Sequence, residues 1–426
     1  MKGEELDRWG EEFVAFHERF APVFSRKEAR QQAVKYLRGL LGESERKNGW
    51  QMAEAVGEPR PDGLQRLLYQ SQWEADAARD VLQGFIVEQF GEEEGIGVVD
   101  ETGFLKKGSH SVGVKRQYSG TAGKVENCQV GTFLSYATGR GHVFLDRCLY
   151  LPEEWCNDAV RRRQAKVPEE VLFQTKPEQA MGMLQRAWAQ GVPMRWVTGD
   201  ELYGASTALR TLIEEQQRWY VLAVKSNTPA WSVRPLVVEP APPARGRPAL
   251  HLRLADDAPA ATPVIALVAR WPAHRWQRLT VAEGEKGPRI YDWAAQRIVE
   301  SRDALPGPDA WLLARRSLTQ PEEIAYYLAN APSDTPLLKL AQIASTRFTV
   351  EQCIEEAKGE TGLDGYEVRY WHSWYRHITL AMMAHAWLAA LRTQEKKRIG
   401  TLPGRTDCPR NPPLARRGLA LAAALP

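Results

Sequence analysis

Between residues 95 and 224, short apolar runs alternate with amphipathic stretches, and this alternation narrows the possible folds more than any other feature. The apolar runs have the length and composition of β-strands, whereas the amphipathic stretches repeat their apolar residues every three or four positions, as helices do. The order strand, strand, strand, helix, strand, helix, strand predicts a mixed sheet with helices around it. The predicted strands are 96–99, 127–137, 142–151, 195–198 and 219–224, and the predicted helices are 176–190 and 205–217.

The segments on either side of the first predicted strands differ from them in composition. Residues 105–127 are basic and rich in Gly and Ser, which is typical of a loop. The strands at 127–137 and 142–151 are joined by Gly139-Arg140-Gly141, which predicts a hairpin.

The first 90 residues carry helical spacing and predict an all-helical N-terminal domain. Ser25 is a candidate N-cap for a helix that continues to residue 41, because Glu28 stands three residues later. Segments 50–56 and 64–70 flank a turn rich in Gly and Pro, which is the outline of a helix-turn-helix or, alternatively, of a purely structural helix pair. The residues that would face DNA are Arg60, Gln65 and Arg66.

Residues 228–325 break the alternating pattern. Segment 235–248 is rich in Pro and Arg and is typical of a loop or linker. Strand-like runs follow, and they predict a β-rich insertion; they are 250–254, 264–268 and 279–281. From residue 321 the pattern is helical through residue 392, and the remaining tail is expected to be poorly ordered.

Composition limits the function classes. A chain of 426 residues allows two or three domains, and a net charge of only +3 means that any surface for nucleic acid must be local. Five cysteines without a CxxC pair fit a reducing cytosol. The N-terminus lacks the apolar segment of a signal peptide, and the most apolar run, 378–391, is too short to span a bilayer. These features predict a cytoplasmic protein without a membrane partner.

Two acidic residues, Asp100 and Asp200, each follow an apolar strand pattern. Functional groups gather at the carboxyl ends of strands in open α/β sheets, and two adjacent carboxylates repel unless a cation lies between them. Glu351 could supply a third oxygen ligand, and Mg²⁺ prefers such ligands. Two ions about 3.5–4 Å apart could activate water and stabilise the leaving oxygen of a phosphodiester. The alternative for each Asp is turn or cap chemistry, and the substitutes nearby are Glu101, Glu355 and Glu356.

Glu351 also lies between two cations on one helical stripe. A helix turns about 100° per residue, which brings Arg347, Glu351 and Lys358 within roughly 60° of one another. These cations could grip the phosphates that flank a scissile bond. The alternative is a salt-bridged helix face, in which such pairs contribute about 0.2–0.5 kcal/mol each.

These motifs together resemble the DDE transposases of bacterial insertion sequences, in the branch with a Tyr-Arg-Glu-Lys signature. Arg347, Glu351 and Lys358 match three signature positions, and Ala344 stands where the branch has Tyr. The phrases around the acids, Val-Val-Asp100-Glu-Thr-Gly and Val-Thr-Gly-Asp200-Glu-Leu-Tyr-Gly, resemble the two acidic motifs of the family. Segments 362–369 and 374–387 also resemble it, so that the resemblance spans roughly residues 45–392.

The resemblance implies an RNase H-like mixed-sheet α/β core, interrupted by the β-rich insertion and preceded by the helical DNA-binding domain. It implies two Mg²⁺ ions, or Mn²⁺ in their place, held by Asp100, Asp200 and Glu351. It also implies double-stranded DNA partners, namely terminal inverted repeats and target DNA, and a homodimer during synapsis. The corresponding domain boundaries are 1–90 for the DNA-binding domain, 91–227 for the first part of the core and 228–325 for the insertion. The second part of the core is then 326–392, and 393–426 is a flexible tail.

Further cations and aromatic residues are candidates for DNA contact. Interleaved aromatic and cationic residues suit base stacking, although aromatic residues at helical spacing more often belong to a core. Basic residues in loops and in the insertion could follow the DNA backbone or simply be solvated. The candidates, besides Arg347 and Lys358, are Lys106, Lys115, Arg116, Lys286, Arg289, Arg315, Arg316, Trp374 and Arg376.

Two other functions fit the same sequence. A nuclease with the same core would cut DNA without joining it. A DNA-binding regulator would use the N-terminal helices, with the acids only structural. The presence of all three acids favours an enzyme.

Overall fold

The computed structural model describes residues 3–120, 122–239, 252–284 and 287–400. The chain divides into two compact units, of which the first comprises Met1–Met194 with Thr349–Pro426 and the second comprises Arg195–Phe348. Among the described residues, no helix combines the length and the apolar character needed to cross a lipid bilayer.

The first unit begins with helices, as the spacing of apolar residues predicts. They are α1 (Gly3–Glu18), α2 (Lys27–Leu41), α3 (Gly49–Ala55), α4 (Asp62–Tyr69) and α5 (Ala75–Phe90). The N-cap of α3 is Asn48, whose side chain accepts hydrogen bonds from the N–H groups of Trp50 and Gln51. The predicted cap at Ser25 is wrong: Arg26 is the N-cap of α2, and the Ser25 hydroxyl donates to the carbonyl of Gln72 instead.

The sheet of the first unit is antiparallel around one long strand. Strand β3 (Lys124–Thr138) pairs with β1 (Gly95–Leu105), β2 (Lys115–Ser119) and β4 (Gly141–Tyr150). The hairpin between β3 and β4 is confirmed. The loop predicted at 105–127 is wrong in part, because β2 and the start of β3 lie within it and carry polar residues that gave no apolar run.

Three helices follow β4, and only the last was expected. The short helices α6 (Glu153–Cys156) and α7 (Ala159–Gln164) precede α8 (Lys176–Ala189). Helix α8 begins with a capping box, in which Thr175 and Glu178 each satisfy a main-chain N–H of the other.

The second unit contains a mixed sheet. Strands β5 (Met194–Gly199) and β6 (Trp219–Val224) are parallel, with α9 (Glu201–Gly204) and α10 (Thr207–Glu215) between them in the chain. Beyond β6, antiparallel pairing continues through the later strands. Those strands are β7 (Pro229–Trp231), β8 (Val237–Val238), β9 (Arg253–Leu254), β10 (Thr262–Pro263), β11 (Gln277–Gly284), β12 (Gly287–Arg302), β13 (Leu305–Arg316) and β14 (Ile324–Ala329).

Two predictions within this unit are wrong. The strand predicted at 264–268 is the helix α11 (Val264–Val268), because its buried residues Val264, Leu267 and Val268 have helical spacing. The helical pattern predicted from residue 321 begins later, since β14 occupies 324–329 and pairs with β13 and β6.

The chain ends with two long helices, α12 (Leu337–Thr361) and α13 (Trp371–Gly400). The apolar run 378–391 lies within α13 and is buried, as expected. The flexible tail predicted from residue 393 is wrong for residues 393–400, which belong to α13. The rest of that prediction, 401–426, lies outside the described residues. The mixed α/β fold class with N-terminal helices and a β-rich segment is confirmed.

Candidate active site

Asp100 lies in the middle of a strand rather than at its end. Strand β1 continues for five residues beyond it, and Asp100 stands opposite Phe133 of β3. Its carboxylate is half-buried and accepts a hydrogen bond of 2.8 Å from the N–H of Glu101. The apolar run before Asp100 therefore identified the strand correctly but not its end.

The neighbouring acid, Glu101, points to the other face of the sheet. Successive side chains alternate along a strand, so Asp100 shares a face with Thr102 and not with Glu101. The carboxylate of Glu101 pairs with Lys176 of α8 at 2.6 Å. This ion pair gives Glu101 a structural role and removes it as a substitute for Asp100.

Lys358 fastens α12 against the face of β1 that carries Asp100. Its ammonium group donates to the hydroxyl of Thr102 at 2.8 Å and to the carbonyl of Gly103 at 3.2 Å. It also lies 5.6 Å from the ring centroid of Phe104, which shares that face. Partial burial lowers the pKa of Lys358. The ammonium that was predicted to grip phosphates is thus directed at the candidate catalytic strand.

Glu351 is exposed and lies on the same stripe of α12 as Lys358. Seven residues separate the two, which is about two helical turns and roughly 10 Å along the axis. Because Lys358 faces β1, this stripe of α12 faces the side of the strand that bears Asp100. Asp100 and Glu351 therefore belong to the same side of the first unit.

The other acids on α12 differ in their surroundings. Glu356 is half-buried, with Arg392 at 3.0 Å, His142 at 3.3 Å and His385 at 3.7 Å from its carboxylate. These neighbours hold the pKa of Glu356 far below its usual range despite the opposing effect of burial, and they exclude it as a substitute for Glu351. Glu355 is exposed, as Glu351 is.

Asp200 belongs to the second unit and directly follows β5. It is the N-cap of α9, where its carboxylate accepts hydrogen bonds from the N–H groups of Leu202 at 2.8 Å and Tyr203 at 3.5 Å. Helix α9 approaches β6 so closely that a Cβ on Gly204 would lie 1.8 Å from the carbonyl oxygen of Ala223. The cap and this close approach fix the position of Asp200 relative to the parallel strands.

Three arginines of the second unit surround one phenylalanine ring. The guanidinium carbons of Arg289, Arg347 and Arg315 lie 4.7, 5.2 and 5.3 Å from the ring centroid of Phe348. We call this set the arginine cluster. Each cation–π contact contributes about 0.5–2 kcal/mol, but three like charges around one ring repel one another.

Strand register explains how the arginine cluster forms. Arg315 of β13 stands opposite Trp293 of β12 and shares its face of the sheet. Arg289 and Tyr291 lie on this face too, because every second residue of a strand points the same way. The guanidinium of Arg315 also lies 4.7 Å from the ring centroid of Tyr291. One of its buried N–H groups has no acceptor among the described residues. An anion at this face would relieve both the repulsion and the missing hydrogen bond.

The sequence identified three members of this set without their common partner. The sequence predicts DNA contact for Arg289, Arg315 and Arg347, but no pattern in it indicates a role for Phe348, which directly follows Arg347. Arg316 faces the opposite side of the sheet, where it pairs with Asp292 at 3.2 Å. Lys286 lies outside the described residues.

The basic residues after β1 have separate surroundings. Lys106 donates to the carbonyl of Tyr366 at 2.9 Å and lies 3.6 Å from its ring centroid. Lys115 forms an ion pair with Glu154, and Arg116 is exposed on β2. Lys106 also lines a cleft together with other cations.

Trp374 and Arg376 are parts of the core, and the prediction that they contact DNA is wrong. Trp374 is fully buried and donates its ring N–H to the hydroxyl of Tyr366 at 2.9 Å. Arg376 is 8% exposed and donates to the carbonyls of Leu68 and Trp73 at 3.0 and 2.8 Å. The alternative given for aromatic residues at helical spacing, a core position, is the correct one.

The predicted helix pair is present as α3 and α4. Arg60, in the turn, and Arg66, on α4, are exposed, and Gln65 is half-buried. The pair therefore presents two guanidinium groups to solvent, as a DNA-reading module requires, although a structural helix pair has the same outline.

Metal binding rests on donor chemistry alone. In the described parts of the chain, no group of three or more His, Cys, Asp or Glu side chains is arranged to hold a metal ion. The carboxylates of Asp100, Asp200 and Glu351 are the oxygen donors that Mg²⁺ prefers. Their gathering around a shared ion stays a prediction.

Comparison with known proteins identifies the family. Residues 19–288, more than half of the chain, match the DDE superfamily endonuclease family. The chain belongs to this family. The matched segment contains Asp100 and Asp200, whereas Glu351 lies beyond it and is assigned from the spacing of its signature.

Individual proteins are similar over parts of the chain. A probable transposase for insertion sequence element IS701 from Microchaete diplosiphon is 32% identical over 199 residues, which are 46% of this chain and 49% of that protein. The chain therefore spans about half the length of this relative.

Two solved structures are similar at 10% identity. One is a piggyBac transposase synaptic complex with hairpin DNA, with a TM-score of 0.38 and an alignment that covers 93% of this chain and 76% of that chain. The other is the NurA nuclease from Sulfolobus solfataricus, with a TM-score of 0.25 and an alignment that covers 70% of this chain and 94% of that chain. Neither likeness is close enough to identify a fold.

Proposed function

We propose that this chain is a DNA transposase that binds the terminal inverted repeats of an insertion sequence, cleaves at the element ends and joins the freed 3′-hydroxyl to target DNA. The observation that carries the proposal is the pair of hydrogen bonds from Lys358 to Thr102 and Gly103. In a chain of the DDE endonuclease family, those bonds hold the signature helix over the face of β1 that bears Asp100.

The proposed roles follow from the chemistry of the side chains. Asp100, Asp200 and Glu351 would hold divalent cations, two Mg²⁺ ions or Mn²⁺ in their place, which supply a nucleophilic water and stabilise the leaving oxygen. Asp100 and Asp200 are oriented for this by main-chain N–H groups. Glu351 is presented to solvent by a helix that Lys358 fixes in rotation.

The arginine cluster would bind a DNA phosphate near the scissile bond. Planar guanidinium groups match the geometry of phosphate oxygens, and a phosphate among Arg289, Arg315 and Arg347 would neutralise their mutual repulsion. The unsatisfied N–H of Arg315 would gain an acceptor in the same step. Salt should weaken this contact, because phosphate binding releases counterions.

The domain and partner assignments form part of the same proposal. The helices up to residue 90 would read the inverted repeats, and 91–227 with 326–392 would form the catalytic core around the insertion 228–325. Synapsis of two ends would require a homodimer, and the DNA would be that of the bacterial nucleoid.

The test compares cleavage with binding. The probe is a labelled duplex taken from the DNA that borders the coding sequence, incubated with Mg²⁺. We expect Asp100→Ala, Asp200→Ala and Glu351→Ala each to abolish cleavage while the duplex is still bound. Glu101→Gln is the matched control, because Glu101 is adjacent to Asp100 but pairs with Lys176 on the other face of the sheet. This variant should cleave the duplex normally. Full cleavage by Asp200→Ala would refute the assignment.

The products of the same reaction separate the alternatives. Strand joining to a target plasmid supports the transposase. Cleavage without joining supports the nuclease, and binding without nicking at any divalent metal supports a regulator.

A further inference from the structure

A cleft in the first unit has more cations than acids among the charged residues that line it. It has a volume of about 610 Å³ and is formed by residues from three segments, 44–48, 105–111 and 358–369. Its lining includes six lysine and arginine residues and three acids. The cations are Arg46, Lys47, Lys106, Lys107, Lys358 and Arg369, and the acids are Glu45, Asp364 and Glu367. We call this cleft the basic groove.

The rim of the basic groove offers charge to solvent. Arg46, Lys107 and Arg369 are exposed. None of the three forms an ion pair with a carboxylate in the described parts of the chain, whereas exposed Lys115 and Lys124 both do. Cations that line a cleft without such partners attract an anionic ligand.

The floor of the basic groove holds two lysines whose protonated form is destabilised by burial. Burial lowers the pKa of Lys106 and of Lys47 to about 8. Lys106 is fixed by the carbonyl and ring of Tyr366, and Lys47 donates to the carbonyl of Gly42. An anion in the cleft would offset the cost of keeping both lysines charged.

A second cleft extends the basic groove. It has a volume of about 210 Å³ and shares His110 and Arg369 with the first. Arg161 lines it with its guanidinium carbon 3.8 Å from the ring centroid of Trp155. The row of cations is therefore longer than one cleft, as a ligand with several regularly spaced negative charges would require.

The chain segments that form the basic groove point to its ligand. Residues 44–48 lead into α3, the first helix of the candidate DNA-reading pair, and end at its N-cap Asn48. Lys106 and Lys107 directly follow β1, the strand that carries Asp100. The groove therefore lies between the module that would read DNA and the strand that would support its cleavage.

We propose that the basic groove binds the phosphodiester backbone of the DNA segment that leads from the sequence read by α3 and α4 to the scissile phosphate. This inference rests on the proposed function, since it presumes a DNA substrate. Arg46, Lys107 and Arg369 contact successive phosphates, and Lys106 contacts one from the floor. Either one strand of a duplex or an unpaired strand presents this backbone.

The test variant removes two rim cations, Lys107→Gln with Arg369→Gln. Both side chains are exposed, so folding should be preserved, as thermal unfolding would verify. The matched control removes two exposed cations elsewhere in the first unit, Lys27→Gln with Lys124→Gln. Affinity is measured against salt for a labelled duplex from the DNA that borders the coding sequence and for one of its single strands.

The slope of log K against log salt counts the phosphates contacted. We expect the test variant to reduce its magnitude by about 1.8 on a duplex or about 1.4 on a single strand, according to which form occupies the groove. The control should keep the wild-type slope. Equal slopes for wild type and test variant, or equal losses in test and control, would overturn the inference.

The location is tested with neutral methylphosphonates placed one at a time along the duplex. Replacements between the read sequence and the cleavage position should reduce the DNA affinity of the wild type more than that of the test variant. Equal reductions at all positions would contradict backbone binding in the basic groove. If the wild type binds this duplex without any salt dependence and never cuts it, the proposed function is refuted, and the groove proposal that rests on it is refuted as well. Binding and cutting with an unchanged slope in the test variant would refute the groove alone.

Discussion

Arg376 and Arg315 were both candidates for DNA contact, and the structure predicts opposite outcomes for them. Arg376 is buried and donates two hydrogen bonds to main-chain carbonyls, one of them at the end of α4. Arg315 is half-buried in the arginine cluster and retains an unsatisfied N–H. Replacing each with Met removes the charge and keeps most of the apolar stem.

The loss of stability expected for Arg376→Met follows from the two hydrogen bonds that its side chain donates. Hydrogen bonds from a charged donor contribute about 1.5–3 kcal/mol each, which sets an upper value of roughly 6 kcal/mol. Burial lowers the pKa of Arg376, so part of this gain offsets the cost of burying the charge. The cation also lies at the C-terminus of α4, where positive charge is favourable. We expect Arg376→Met to reduce the free energy of unfolding by about 3 kcal/mol.

The assay pairs urea unfolding, followed by far-ultraviolet circular dichroism, with the salt dependence of DNA affinity. Arg376→Met should unfold at lower urea and, under folding conditions, keep the wild-type salt slope. Arg315→Met should change stability by less than about 1 kcal/mol and reduce the slope by about 0.9. An Arg376→Met protein of unchanged stability with a reduced slope would refute the assignment of Arg376 to the core.

Gly204→Ala should destabilise the protein by about 3 kcal/mol, because the new Cβ would overlap the carbonyl of Ala223. The control Gly84→Ala, in α5 with open space around it, should be neutral or stabilising. Urea unfolding midpoints measure both changes, and a neutral Gly204→Ala would contradict the close packing of α9. The free energy of unfolding should rise with pH between about 8 and about 10.5, because folded Lys106 releases its proton near pH 8 and the unfolded lysine retains it to 10.5. Lys106→Met should lessen that rise in urea titrations at pH 8, 9 and 10, and an identical pH dependence in both proteins would show that Lys106 titrates normally.

Much of the fold followed from local patterns. Strands β5 and β6 and helix α8 were predicted because each has a periodicity that its burial requires. The short helix α11 was mistaken for a strand, since five apolar residues fit either structure and only its tertiary contacts decide. The polar strand β2 gave no signal because it is paired with β3 but mostly exposed.

The candidate site was predictable where it depended on spacing and unpredictable where it depended on register. The stripe of Arg347, Glu351 and Lys358 is a property of one helix. The choice between Asp100 and Glu101 needed the knowledge that β1 continues past both, since only alternation along a strand separates them. Phe348 could not be identified as a shared partner, because β12 and β13 had to be aligned before Arg289 and Arg315 could meet it.

Helix α12 is fixed from two sides within the first unit, and this has a consequence for any ion it helps to hold. Glu356, with Arg392 and His142, and Lys358, with Thr102, project about 200° apart around the helix axis. Slipping the helix by one residue would rotate it by about 100° and break both attachments. The direction in which Glu351 leaves the helix is thereby set in advance. In the proposed metal site, only the side-chain rotamers of Glu351 would remain to be ordered when a cation binds.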